Sequence, residues 1–183
     1  PNSFDLSTLR LLGTVGEPIN PEVWKWYYHT IGKDRCPIID TWWQTETGAT
    51  VVNVLPGIGP FVPTLAGKSF PGITHLIVDE KGKQKPKGQL GFIVQKSPFA
   101  PGMLHGVYKN HPKYLKTYWQ YLTKHNKKYY DSSDGAFLTK DNLIRITGRT
   151  DDVMKVAGHR LSTAELEDAI NQHKLVNECA VVP

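Results

Sequence analysis

Apolar and polar positions in the first part of the chain follow a strand–helix–strand pattern. The predicted elements are a strand over 9–15, a helix over 21–32 and a strand over 37–41. Asn20 followed by Pro21 is typical of a helix start. Each predicted strand ends in a polar loop, at 16–18 and at 42–48. Two strands joined by a helix indicate a parallel sheet, in which ligands lie at the carboxyl ends of the strands.

From about residue 56 the pattern changes, because glycine and proline become frequent and the apolar runs shorten. The predicted strands are 74–79, 89–95, 129–131, 136–139 and 143–147, with turns at 80–83 and 140–142. One helix, with Pro112 in its first turn, is predicted to place Leu115, Trp119 and Leu122 on a single face. These elements favour a small, mostly antiparallel sheet or barrel.

The last part of the chain begins with a predicted break at 148–152. A short strand over 153–156 follows, and the capping box from Ser162 to Glu165 predicts a helix. Residues 179–182 are typical of a strand that is beginning. The fold class is therefore α/β with a β-rich subdomain. The predicted domains are the end of an α/β subdomain (1–55), a β-rich subdomain (56–150), and a hinge with the start of a truncated C-terminal domain (151–183).

Composition excludes several classes of protein. The 183 residues are 39% apolar and 21% charged, which is typical of a globular chain and not of disorder, collagen or a coiled coil. Since no apolar run approaches the roughly 20 residues of a membrane helix, we expect no membrane partner. The net charge of +5 does not demand nucleic acid, and a solvated helix end explains the cluster of Lys124, Lys127 and Lys128.

Cysteine usage points to the cellular setting. Cys36 and Cys179 are the only cysteines, so there is neither a disulfide framework nor a metal-binding spacing. No signal peptide opens the chain. We therefore expect a reducing, intracellular location, the cytoplasm or an organelle. The sequence leaves the oligomeric state open.

The loops after the first two strands carry the first candidate residues. Gly16 allows a ligand to approach the backbone closely, or simply makes a tight turn. Trp42 and Trp43 can wall an apolar pocket or stack on a base. The threonine hydroxyls that follow can bind phosphate, and Glu46 can hold Mg2+ beside it. The alternative is a buried aromatic pair followed by a solvated turn.

Further candidates lie near the second domain boundary. Asp134 can accept hydrogen bonds from a ribose diol, although a turn aspartate is the simpler explanation. Arg149 and Arg160 suit phosphate and ribose recognition, with a surface ion pair as the alternative. His159 and His173 are more typical of structural histidines. No Ser-His-Asp set, cysteine nucleophile or Walker-type phosphate loop is present in the sequence.

Four motifs in a fixed order carry a more specific signal. They are Val15 to Pro18, the string TWWQTETG over 41–48, Tyr130 to Ala136, and Ile146 to Leu161. Together they resemble the AMP-forming acyl-CoA synthetases, and most of all those that activate acetate. This resemblance implies the C-terminal part of the large adenylate-forming N-terminal domain and the start of the small α+β C-terminal domain. It also implies ATP, Mg2+ and CoA, and an acyl-adenylate intermediate.

The resemblance also assigns roles to individual residues. The implied nucleotide contacts are Gly16, Glu17, Pro18, Asp40, Thr41, Trp42, Trp43, Gln44, Thr45, Asp134, Arg149 and Arg160. Glu46 and Arg160 are implied in catalysis, and Glu46 as the Mg2+ ligand. Val15 and Trp43 are implied as walls of the acyl pocket, Ala157 and Gly158 as CoA contacts, and Asp151 as the hinge. A second, structural metal site is implied at the carbonyls of Asn171 and Val176 and the ring of His173.

Some features depart from the family pattern. Ser133 replaces the first glycine of the acidic Gly-Asp-Gly turn, and Ala157 replaces a serine that contacts CoA. Ala49 stands where acetate enzymes often have a second glycine, and the Ala-Gly-His-Arg form also resembles the propionate branch. The phosphate loop and the catalytic lysine of the family belong outside these residues, so we expect a fragment that makes no acyl-CoA by itself. The alternatives are a synthetase for propionate or another short acid, a non-catalytic nucleotide-binding module, and a basic nucleic-acid binder, which we disfavour.

Overall fold

The computed structural model of the chain describes residues 3–150, 154–156, 159–161, 163–176 and 178–182. For 154–156, 159–161, 164 and 165 the description is limited to the backbone. Within these residues there are two four-stranded sheets, a two-stranded hairpin and four α-helices. The expected α/β class with a β-rich part is confirmed.

The first sheet has the strand order β1-β2-β3-β4. Its strands are β1 (Leu12–Thr14), β2 (Ile38–Trp42), β3 (Val52–Asn53) and β4 (Lys68–Ser69). β1 and β2 are parallel, as predicted, and pair Leu12 with Ile38 and Thr14 with Asp40. β3 and β4 continue the sheet in antiparallel pairings.

Helix α1 (Pro21–Trp26) connects β1 to β2. The side-chain oxygen of Asn20 accepts hydrogen bonds from the backbone N–H groups of Glu22 and Val23, which confirms the predicted cap. A π-helical turn, Tyr27–Ile31, continues the helix to Gly32. The buried ring of Trp24 belongs to a core cluster with three residues of the two strands and their connection, Leu12, Cys36 and Ile38.

The second sheet has the order β5-β6-β7-β8 and is antiparallel throughout. Its strands are β5 (Thr74–Val78), β6 (Gly91–Lys96), β7 (Tyr129–Leu138) and β8 (Ile144–Arg149). Two predictions were wrong here. The strands expected at 129–131 and 136–139 are one strand, and β8 continues through the break expected at Gly148. The reason is that strands on both sides pair with β7 and keep its polar segment in the sheet, with local register shifts.

The helix predicted from Pro112 to Leu122 is two helices, α2 (His111–Tyr118) and α3 (Gln120–His125). The break is at Trp119, whose backbone leaves the helical region. Leu115, Trp119 and Leu122 are half-buried, and the buried positions are instead Tyr114 and Tyr121. The hydroxyl of Tyr114 donates a hydrogen bond to the carbonyl of Leu104 at 3.0 Å. Because this hydroxyl has a partner, the tyrosine side chain can be buried.

The final elements are a hairpin of β9 (Met154–Val156) and β10 (His159–Leu161), and helix α4 (Thr163–Asn171). Of the predicted capping residues, Ser162 lies outside the described residues, and only the backbone of Glu165 is described. Residues 178–182 form no strand, so that prediction was wrong. The N–H of Val181 donates to the carboxylate of Glu167 at 2.8 Å, a side-chain partner in place of a strand neighbour.

One core cluster joins the two sheets. It contains Val52 and Ala66 from the first sheet region and Ile77, Ile93 and Ile144 from the second, among others. Backbone bonds reinforce the junction, since the N–H of Ile144 donates to the carbonyl of Gly67 at 2.7 Å. The change from one sheet to the other falls between β4 and β5, whereas the domain limits given from the sequence stay a prediction. In the described part of the chain, no helix is long and apolar enough to cross a membrane.

Candidate functional site

The parallel pairing of β1 and β2 brings two candidate loops to one edge of the first sheet. The loop after β1 contains Val15 to Pro18, and the loop after β2 begins at Trp43. Val15 is 61% exposed and Trp43 is 45% exposed. Both side chains therefore lie open at the carboxyl ends of parallel strands, where ligands bind in such sheets.

Gly16 has a backbone conformation that favours glycine. Its φ is 105°, in the region that side chains with a Cβ rarely adopt, although a Cβ would have open space. The positive φ of this turn, and not a lack of space for a side chain, therefore explains why the residue is glycine. The side chains of Val15 to Pro18 make no hydrogen bond or ion pair with the described residues.

Two polar side chains join β1 to β2 just below this edge. The hydroxyl of Thr14 donates to Asp40 Oδ1 at 3.0 Å, and the hydroxyl of Thr41 donates to the carbonyl of Thr14 at 2.9 Å. Burial raises the pKa of the Asp40 carboxyl above its usual range, against the lowering effect of the Thr14 hydrogen bond. This carboxyl therefore holds the strand ends together in the structure.

A short 3-10 turn, Thr45–Thr47, carries the polar motif that follows the two tryptophans. The backbone N–H of Gln44 donates to the Thr47 hydroxyl at 3.0 Å, and that hydroxyl donates to the carbonyls of Gln44 and Ala49. The turn ends at Gly48, which is left-handed and would bring a Cβ against the carbonyl of Gly102. Thr45 is exposed, and Glu46 is half-buried.

Asp134 lies at the centre of a network of polar side chains that connects the loop after β2 to the second sheet. It lies in β7, 6% exposed, and its Oδ2 accepts hydrogen bonds from Trp42 Nε1 at 3.2 Å and Gln44 Nε2 at 2.8 Å. Its Oδ1 lies 3.9 Å from Arg149 Nη1. Arg149 is opposite Asp134 in the β7–β8 ladder and also donates to the carbonyl of Ser132 at 3.2 Å. Donors from β2, from the loop after it and from β8 therefore hold this carboxylate of β7 in place.

Two tyrosines that the sequence analysis did not assign to the site extend this network. The hydroxyl of Tyr118, at the end of α2, donates to Glu46 Oε1 at 2.7 Å. The hydroxyl of Tyr130 donates to Gln44 Oε1 at 2.8 Å. Their rings are stacked, with centroids 5.8 Å apart and planes 9° apart. The pair therefore holds Gln44 and Glu46 in one arrangement.

Burial keeps both tyrosines protonated. It raises the pKa of Tyr118 to about 12, with a further contribution from the hydrogen bond to Glu46. Burial, followed by the charge of Glu46, also raises the pKa of Tyr130 above its usual value. Strand periodicity places Tyr130 two and four residues from Ser132 and Asp134, a signal that points to Tyr130. No comparable spacing points to Tyr118.

The structure thus brings five of the predicted residues into one connected group, Trp42, Gln44, Glu46, Asp134 and Arg149. Val15, Gly16, Glu17, Pro18, Trp43 and Thr45 lie near the sheet edge without joining it. Arg160 lies on β10, opposite Lys155, and its side chain is outside the described part. Asp151, Ala157 and Gly158 also lie outside the described residues.

The residues implied for a second metal lie around the end of α4. The N–H of Val176 donates to the carbonyl of His173 at 2.9 Å, and His173 Nδ1 accepts from the N–H of Leu175 at 3.3 Å. Because Nδ1 accepts this hydrogen bond, the neutral ring carries its proton on Nε2, and neither ring nitrogen offers a free lone pair to a metal in this arrangement. Over the described ranges, no group of three or more His, Cys, Asp or Glu residues is placed to hold an ion. This metal site, with the carbonyls of Asn171 and Val176, stays a prediction.

Known proteins match the chain along its whole length. A chain of acetyl-coenzyme A synthetase from Campylobacter jejuni is 50% identical over 182 residues, which is 100% of this chain and 28% of that protein. The corresponding proteins of Wolinella succinogenes and Burkholderia lata are 46% and 47% identical. All of this chain is matched, and it covers 28% and 27% of those two proteins, respectively. The chain therefore spans less than a third of the curated relatives named here.

A solved structure supports the same relationship. The crystal structure of an anthranilate CoA ligase in complex with anthranoyl-AMP superposes with a TM-score of 0.81 at 29% identity. The match covers 98% of this chain and 32% of that ligase. The fold is thus that of part of an adenylate-forming ligase. The family model described as "AMP-binding enzyme" matches residues 1–108, and the chain belongs to this family.

Proposed function

We propose that this chain forms part of an AMP-forming acetyl-CoA synthetase. The observation that carries the proposal is the buried Asp134 carboxylate, which donors from two other strands hold at the sheet edge. The 50% identity to an acetyl-coenzyme A synthetase supports the choice of reaction. The substrates are ATP, acetate or a similarly short acid, and CoA.

The reaction has two displacement steps. A carboxylate oxygen of acetate bonds to the α-phosphorus of ATP, and the bond from that phosphorus to the bridging oxygen of the β-phosphate breaks. Pyrophosphate leaves. The CoA sulfur then bonds to the acyl carbon, the bond from that carbon to the AMP oxygen breaks, and the thiol proton passes to solvent. Both steps depend on positioning and on neutralising charge more than on covalent help from the protein.

Each group of residues has a proposed role in these steps. Asp134, with Arg149 beside it, binds the ribose hydroxyls, and Gly16 to Pro18 together with 40–45 bind the adenine and phosphates. Val15 and Trp43 wall the acyl pocket. Arg160 meets the nucleotide phosphate, Asp151 is the hinge, and Ala157 and Gly158 contact CoA.

The residues present also fit a magnesium ion beside the phosphates. Mg2+ is usually held by one or two carboxylates together with substrate phosphates, so the single carboxylate of Glu46 is sufficient. The Tyr118 hydroxyl occupies Glu46 Oε1, which leaves Oε2 to face a ligand. When bound, the ion would neutralise phosphate charge.

The test is ATP–pyrophosphate exchange by the protein that contains this chain, with acetate, propionate and butyrate in turn. Largest exchange with acetate is expected, and largest exchange with propionate would select the propionate branch. AMP binding without exchange for any acid would identify a non-catalytic nucleotide-binding module.

Trp43→Gly should raise exchange with butyrate relative to acetate by about tenfold or more, since each methylene contributes about 1–3 kcal/mol. Trp26→Gly, at another exposed tryptophan, is the control.

A further inference from the structure

A second polar feature lies beside α2. An open cleft of about 780 Å³ separates one face of α2 from the middle of β7 and the end of β8. Pro112 and six polar or charged residues line this cleft, which we call the basic cleft. The six are Lys113, Lys116, Thr117, Ser133, Arg149 and Thr150. Lys113, Lys116 and Thr117 share one helix face because they are three and four residues apart. The volume is in the range of small-molecule sites.

The basic cleft presents hydrogen-bond donors and positive charge. It is lined by three cationic side chains, and no acidic residue is among the described residues that line it. Within the described part of the chain, the ammonium groups of Lys113 and Lys116 have neither an ion-pair nor a hydrogen-bond partner. The side-chain hydroxyls of Thr117 and Ser133 are likewise without a partner there. By contrast, Lys25 is paired with Glu22, and Lys127 donates to the carbonyl of Gly82.

Arg149 connects the basic cleft to the candidate nucleotide site. Its guanidinium lines the cleft while Nη1 faces Asp134 and the carbonyl of Ser132. A guanidinium has five N–H donors in a fixed plane, so it can serve the carboxylate and a second anion together. The cleft is therefore adjacent to the candidate nucleotide site and shares Arg149 with it.

We propose that the basic cleft binds a diphosphate group. Such a group is acceptor-only, which matches a lining of ammonium, guanidinium and hydroxyl donors. Two linked phosphates carry about three to four negative charges, close to the charge of the three cations. The lysines are one helical turn apart, so each can meet a different phosphate, which a single carboxylate would not allow. The lining residues favour this ligand whether or not the protein catalyses the proposed reaction.

The test is calorimetric titration of inorganic pyrophosphate, without magnesium, into the protein that contains this chain. Lys113→Ala/Lys116→Ala should weaken binding by about tenfold or more, as expected for the loss of a charge-assisted hydrogen bond. Lys124→Ala/Lys128→Ala removes the same charge from exposed lysines outside the cleft and should leave binding unchanged. Lys113→Arg/Lys116→Arg keeps the charge and should preserve binding, which separates a binding effect from misfolding.

Equal affinity for pyrophosphate in the two alanine double variants would overturn the proposal, as would a wild-type protein that binds no pyrophosphate. Titration with ADP then identifies the source of the diphosphate. If Lys113→Ala/Lys116→Ala weakens ADP and pyrophosphate alike, the cleft takes the diphosphate of a nucleotide. If it weakens pyrophosphate alone, the cleft takes the inorganic anion. Because no turnover is measured, the result is separate from the exchange assay that tests the proposed function.

Discussion

The loops after β1 and β2 start at the same sheet edge but are held in different ways. Val15 to Pro18 are exposed, and their side chains make no hydrogen bond to the described residues. The loop after β2 is tied to distant elements, because Gln44 contacts β7 and Glu46 contacts α2. The anchored loop presents a fixed arrangement to a ligand, whereas the exposed loop must gain its contacts from one. The side of the site that we propose for the ribose is therefore organised before a ligand binds.

The largest effect is expected from removing the anchor itself. Asp134→Ala deletes the acceptor of Trp42 and Gln44 and the carboxylate beside Arg149. Loss of the ribose contacts and of this order should weaken AMP binding by about 100-fold or more, which corresponds to about 3 kcal/mol. Calorimetry on the protein that contains this chain measures it. Asp141→Ala, at an exposed turn aspartate, is the control, and equal AMP affinity in the two variants would remove Asp134 from the site.

The second prediction concerns the packing behind the anchored loop. The ring of His75 packs edge-on against Trp42, with centroids 5.5 Å apart, and its Nδ1 lies 2.9 Å from the Ser69 hydroxyl. Burial lowers the pKa of His75 to about 4, from 6.5. The folded protein therefore binds fewer protons than the unfolded chain between these values. Stability is fully present above pH 6.5 and is lost as the pH falls towards 4, by about 2 kcal/mol at pH 5.

Thermal denaturation at pH 7 and pH 5 tests this prediction. The melting temperature of the wild type should fall more between the two pH values than that of His75→Gln, which has no ring to protonate. His105→Gln, at an exposed histidine, should behave like the wild type. Parallel pH dependence in all three proteins would show that His75 is not the group responsible.

The third prediction tests the contact from α2 to the anchored loop. Tyr118→Phe keeps the stack on Tyr130 and removes the hydrogen bond to Glu46. A hydrogen bond to a charged group contributes about 1.5 kcal/mol or more, so adenylation should slow by about tenfold while AMP affinity changes little. Tyr108→Phe, at a tyrosine that is 86% exposed, is the control. An unchanged rate in Tyr118→Phe would show that Glu46 needs no support from α2.

Short-range sequence patterns predicted the strands and helices around the two loops better than they predicted the contacts between these elements. Asn20 and Pro21 identified the start of α1 because the capping interactions lie within three residues. The contact of Tyr118 with Glu46 spans 72 positions, and no periodicity reports such a pair. β7 was divided in two because its polar segment lacks a strand-like composition, whereas pairing with β6 and β8 determines its conformation.

The smallest effect is expected at Ser133, the residue that replaces a glycine of the family motif. Its φ is 58°, in the left-handed region, and its carbonyl accepts hydrogen bonds from the N–H and hydroxyl of Thr150. Ser133→Gly removes a conformational cost of about 1–2 kcal/mol and adds about 0.5–1 kcal/mol of unfolded-chain entropy, so stability should rise slightly. Ser7→Gly adds the same entropy without relieving a left-handed backbone, and it also removes the side-chain hydrogen bond from Ser7 to Asp5, so it should lower stability. Chemical denaturation compares the two. If Ser133→Gly is also destabilising, the added entropy of the unfolded chain outweighs the relief of the left-handed backbone, and the departure from glycine stabilises this turn.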